Sequence, residues 1–158
     1  MSYKRMITAV ICVMLAAVIL TLGCGNPAPE SVDTGNTDLW HLEFDKRIEL
    51  NPNDTLAYLQ RGYYYMYFKN DYDNAITDYT KAIEIDPKYA DAYQSRGDTY
   101  YYAKGDYDRA IADYTKAIEI EPEDFTNYAK RGLAYSKKGE KGKAEADYIK
   151  AQQKALQE

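Results

Sequence analysis

Tyr58-Leu59-Gln60-Arg61-Gly62-Tyr63-Tyr64-Tyr65 returns as Tyr93-Gln94-Ser95-Arg96-Gly97-Asp98-Thr99-Tyr100, and again as Tyr128-Ala129-Lys130-Arg131-Gly132-Leu133-Ala134-Tyr135. The arginines stand 35 positions apart both times. Each copy is followed by an Ala-x-x-x-Tyr pair: Ala75/Tyr79, Ala110/Tyr114 and Ala144/Tyr148. Tyr58, Gly62 and Tyr65 fall at i, i+4 and i+7 of a helix, and so do Ala75, Tyr79 and Ala82. Glycine on one helix and alanine on the other let two backbones approach closely, with tyrosine rings filling the space beside them. Two such helices per period predict an all-α fold, a solenoid of α-α hairpins stacked in chain order.

The punctuation repeats with the packing face. Asn70-Asp71, Gly105-Asp106 and Gly139-Glu140 separate the two helices of each unit: Asn or Gly closes the first, and an acidic residue favours the start of the second. Pro87 and Pro122 end the second helix and open the next unit. Ahead of the full units, Leu39–Leu50 reads as one amphipathic helix carrying Phe44 and Ile48 and ended by Asn51-Pro52. Its tail echoes that of a second helix, so a half repeat (39–52) precedes full repeats at about 53–87, 88–122 and 123–158. From Tyr65 to Ala75 and from Tyr100 to Ala110 is 10 positions, against 9 from Tyr135 to Ala144. The first two units thus hold one extra residue near the hairpin turn, whose place the spacing leaves open. The last unit lacks a closing proline and has Glu145 in the place of Ile76 and Ile111, as suits an end-cap facing water.

From Leu39 to the C-terminus the pattern resembles the tetratricopeptide repeat family, which reads Trp-x-x-Leu-Gly-x-x-Tyr, then Ala-x-x-x-Phe, then Pro. Tyr58, Tyr93 and Tyr128 replace the tryptophan, Arg61, Arg96 and Arg131 the leucine, and Tyr79, Tyr114 and Tyr148 the phenylalanine. The resemblance implies a superhelix that is not an enzyme and docks a protein or peptide in the groove lined by its first helices. The groove positions it implies are Leu59, Tyr63, Met66 and Tyr67, then Gln94, Asp98, Tyr101 and Tyr102, then Leu133 and Lys137. Tyr63, Tyr67, Tyr101 and Tyr102 would make an aromatic floor, since tyrosine offers area and a hydroxyl with few rotors to freeze. The same rings are equally suited to packing between adjacent hairpins. Some members of the family grip the carboxylate of a chaperone tail; the matching positions are Leu59, Tyr63, Ser95, Thr126 and Lys130, of which only Lys130 has the right chemistry.

The family buries an apolar residue where Arg61, Arg96 and Arg131 stand. Each precedes an aspartate in the second helix of its own unit, Asp78, Asp113 and Asp147, and pairing the two would tie the hairpin together. The alternative is an arginine ladder facing a ligand carboxylate.

Residues 1–23 read as an export signal or membrane anchor: Lys4 and Arg5, the uncharged run from Met6 to Leu22, then Gly23. Cys24 after Gly23 resembles a lipoprotein attachment point, with an uncleaved helix as the alternative. Residues 24–38 are poor in large apolar side chains and read as a flexible tether. The exported part would therefore be membrane-anchored in the cell envelope, facing periplasm or exterior. It carries 18 basic and 25 acidic side chains, which argues against nucleic acid as a partner. One cysteine (Cys24) and one histidine (His41) remain there, so no disulfide, no thiol- or histidine-based metal cluster and no Ser/His/Asp set is expected, and no cofactor. A self-assembling structural protein, a homo-oligomer stacked through its terminal hairpins, is the second functional expectation.

Overall fold

The computed structural model describes residues 34–156, which are helical throughout apart from short connections, with no strand among them. Helix α1 spans Thr34–Leu50. Three hairpins follow: α2 (Thr55–Tyr64) with α3 (Tyr72–Ile85), α4 (Ala90–Asp98) with α5 (Tyr107–Ile120), and α6 (Phe125–Lys137) with α7 (Lys141–Ala155). From α2 onward each helix packs on its sequence neighbours, α3 on α4 and α5 on α6 as well as within the hairpins. That is sequential stacking. Because α1 starts at Thr34, residues 34–38, expected to be tether, are helical.

Acidic N-caps start most helices. The carboxylates of Asp54, Asp71, Asp106 and Asp124 accept the backbone N–H of Ala57, Asn74, Arg109 and Thr126, satisfying donors that no helical carbonyl can reach. Asn70 (φ 52°), Gly105 (φ 64°) and Gly139 (φ 80°) take the left-handed conformation that ends each first helix. Inside each hairpin the second-helix tyrosine lies against the first-helix glycine. A Cβ on Gly97 would stand 2.9 and 3.0 Å from ring carbons of Tyr114, and one on Gly132 2.8 and 3.0 Å from those of Tyr148.

The extra residue of the first two units becomes a π-helical turn. Tyr65–Lys69 continues α2, and Thr99–Lys104 continues α4, as π turns, while α6 stays α-helical to Lys137. The backbone rings show the insertion. In the third unit the Glu140 N–H reaches Tyr135 O, five residues back; in the first two the Asp71 and Asp106 N–H groups reach Tyr65 O and Tyr100 O, six back. One residue is absorbed without breaking either helix.

Helix α1 reaches α2 and its π turn through side chains rather than by the close packing of α3 on α4. Trp40, Glu43 and Arg47 occupy the places of Ala75, Asp78 and Ala82, 35 positions earlier. Where those alanines let a first helix lie close, the larger Trp40 and Arg47 meet α2 and its π turn by their side-chain ends. Trp40 meets Phe68 edge-on at 5.6 Å, His41 stacks on Tyr64 at 5.6 Å, and Arg47 clamps the Asp54 carboxylate and Gln60 Oε1.

Candidate functional site

The three arginines organise the array. Each donates Nε and Nη2 to both oxygens of one aspartate across its own hairpin: Arg61 to Asp78 (2.8 and 2.7 Å), Arg96 to Asp113 (2.9 and 2.8 Å) and Arg131 to Asp147 (2.8 and 2.8 Å). Nη1 of each turns to the helix that precedes its own hairpin: α1, α3 and α5 in turn. It reaches Asp45 Oδ1 at 2.6 Å, Thr80 Oγ1 at 2.9 Å and Thr115 Oγ1 at 3.0 Å in turn. The guanidiniums are thus spent on structure within and between units rather than offered to a ligand. Salt bridging raises all three above the ordinary arginine value against the opposing effect of burial, while burial raises Asp78 and Asp113 despite the guanidinium beside them. The between-unit acceptors escape a motif search because Thr80 and Thr115 are ordinary helix residues; only their 35-residue spacing, continued back to Asp45, hints at them.

The polar groups along the first helices are also matched to one another. Tyr63 Oη lies 2.8 Å from Ser95 Oγ. Gln94 Nε2 donates to Thr126 Oγ1 and Asn127 Oδ1, both at 3.0 Å. Asp98 accepts from Tyr114 Oη and from Lys130 Nζ, both at 2.8 Å. Burial pushes the Tyr63, Tyr79 and Tyr114 phenols far above the ordinary tyrosine value, with Asp98 adding to the effect at Tyr114. The positions matching a carboxylate grip are accordingly consumed: Tyr63 holds Ser95, Gln94 holds Thr126, and Lys130 is neutralised by Asp98.

Two expected groove residues are core. Leu59 (4% exposed) packs with Tyr58 and Ala92, and Met66 (8%) lies under the Tyr79 and Thr99 hydroxyls, because the first helix of the next unit closes over both. Tyr63 is half-buried, and Tyr101 is half-buried against Tyr107 with ring centroids 5.4 Å apart. What stays open is Tyr67 (46% exposed), Tyr102 (65%), Leu133 (42%) and Lys137. Tyr67, Tyr102 and Lys137 share one register position, 35 residues apart. Between the first two lies a depression of about 180 Å³ lined by Met66, Tyr67, Asn70, Tyr72, Tyr102 and Ala103.

Among the described residues no group of His, Cys, Asp and Glu is placed to hold a metal ion, and no helix is long and apolar enough to cross a membrane. Cys24 and the export segment lie outside the described residues.

The model of the TPR repeat matches residues 65–101 and 100–139. No curated protein matches the sequence. Among solved structures the chain is similar to a double mutant of MamA RS-1, with 22% identity over 79% of this chain and 69% of that one and a TM-score of 0.70. A crystal structure of MamA shares 27% identity, covering 78% and 91% of the two chains at a TM-score of 0.54. The first TPR of Spaghetti (RPAP3), bound to the HSP90 peptide SRMEEVD, shares 25% identity over 63% of this chain and 78% of that one, TM-score 0.60. The sequence pattern, the stacked hairpins and the matched model point the same way: the fold is a helical repeat of the tetratricopeptide type, and residues 65–139 are similar to that repeat in sequence.

Proposed function

We propose that this protein is a non-catalytic, membrane-tethered interaction module that docks a segment of a partner protein in the groove of its first helices. One observation carries the reading. The hydrogen-bonding groups along those helices satisfy one another, while Tyr67, Tyr102 and Leu133 stay exposed at positions where nothing in the fold needs a large apolar side chain. The first TPR of Spaghetti, bound to an HSP90 peptide, offers an analogy for a peptide in such an array. An acid-rich tail such as SRMEEVD does not suit this groove, whose Lys130 is already paired. Cys24, through an attached lipid, is the proposed tether, with an uncleaved helix as its alternative; the location that follows is the cell envelope.

The test is crosslinking with mass spectrometry on intact envelopes, comparing the natural chain with Tyr102→Ala and Leu133→Glu. Crosslinks from the first helices to one partner, lost in both variants, are expected. Crosslinks that persist unchanged would remove the groove from the account.

A second reading, self-assembly into an envelope structure, draws on the ends of the array. Tyr148 is 40% exposed where Tyr79 and Tyr114 are fully covered, and Leu39 and Leu42 are exposed on α1. Mass in solution that rises with protein concentration and collapses in Tyr148→Lys would favour it.

A further inference from the structure

The π turns and the exposed tyrosines coincide. Tyr67 lies in the first π turn and Tyr102 in the second, whereas the third unit, without the insertion, carries Lys137 at that position. Extra turns of this kind gather at functional sites. The depression between the two rings has no ammonium or guanidinium in its lining, and Met66 closes its floor. Burial first, then the Asp98 carboxylate, holds both phenols above the ordinary tyrosine value, so the rings stay neutral with their faces electron-rich. Residues 53–122, which build this place, hold 13 acidic against 8 basic side chains.

Elsewhere the protein seats its own cations on tyrosine. Arg109 lies 4.5 Å from the Tyr100 centroid, Lys143 5.2 Å from that of Tyr135, and Lys69 5.5 Å from that of Tyr64. No described cation covers Tyr67 or Tyr102. We infer that Tyr67 and Tyr102 flank a subsite for one cationic side chain, arginine or lysine, on the partner segment docked in the groove. This rests on the docking reading and adds chemistry and direction to it. Lys137 on the third rung repels the same side chain, so the basic residue of the segment lies toward α2 and an acidic one toward α6.

The experiment is a nuclear magnetic resonance titration of the full chain, in detergent, with N-acetyl-arginine amide and N-acetyl-lysine amide. N-acetyl-leucine amide is the neutral probe. The cationic probes should bind saturably and shift Met66, Tyr67 and Tyr102. Affinity should fall about two- to fivefold in Tyr102→Leu and be kept in Tyr102→Phe, which retains the ring face. Equal or tighter binding of the leucine probe, or no loss in Tyr102→Leu, overturns the inference. If the cationic probes fail while partner crosslinks still vanish in Leu133→Glu, this inference falls and the docking reading stands.

Discussion

At Gly62, Gly97 and Gly132 the distance between two helices is set by a missing methyl group. In the middle unit an added Cβ meets the Tyr114 ring at 2.9 Å, and that ring is 1% exposed and tied to Asp98, so it has nowhere to go. Gly97→Ala should therefore cost about 1–3 kcal/mol. Gly132→Ala should cost clearly less, since Tyr148 is 40% exposed and can swing outward. Urea denaturation of the two variants checks the order. The arginines permit a sharper test. Arg96→Leu leaves the buried Asp113 carboxylate without its partner and should cost about 3–5 kcal/mol. Arg96→Leu with Asp113→Ala removes both charges and should recover most of that loss, as thermal unfolding of the pair of variants would show. These pairs were legible in the sequence because Arg and Asp recur together in every unit. The groove was less so. A helical wheel drawn on one helix cannot tell that the next unit covers Leu59 and Met66, since it holds no angle between hairpins.

For the helices, the decisive features are the ends. Asp54, Asp71 and Asp106 all cap, but Asp54 also receives a forked Arg47 guanidinium from α1. Asp71→Ala should cost about 1 kcal/mol. Asp54→Ala should cost more, and should loosen α1, read out as faster amide hydrogen exchange over residues 39–50. The count of 10 against 9 residues announced an insertion, but not its form. A longer loop and a π turn have the same length and composition, and only the six-residue backbone rings at Tyr65 and Tyr100 distinguish them. The start of α1 was hidden for a related reason: Thr34–Asp38 has turn-forming composition and becomes helical as the first turns of a helix that packs elsewhere.

Across the molecule, tyrosine takes the place of the aliphatic residues that fill most helical cores. Tyr63, Tyr79 and Tyr114 are held protonated by burial. In the unfolded chain the same phenols ionise near pH 10. Their contribution to stability is whole below that pH and is lost as pH rises above it, because the unfolded state then sheds protons that the folded state keeps. Urea midpoints should be flat between about pH 7 and 9 and fall steeply beyond about pH 10, with buried phenols ionising only as helix is lost. An alkaline midpoint that does not move would contradict the tyrosine core. Charge is also unevenly spread: residues 34–124 hold 19 acidic and 10 basic side chains, residues 125–158 hold 4 and 8. Self-association, where it occurs, should weaken with added salt if these opposite ends meet.

Arg96 finds Thr80 in the same way that Arg131 finds Thr115, so the seam between the first and second units is chemically interchangeable with the seam between the second and third. A tandem copy of residues 88–122 would bring its own guanidinium and its own hydroxyl, and every joint in the longer protein would close. At the far end Ile149 stands where a threonine would receive the next arginine and supplies no oxygen. A unit duplicated in the interior of this array would therefore keep the bond between units, whereas one placed after the last helix would lack it.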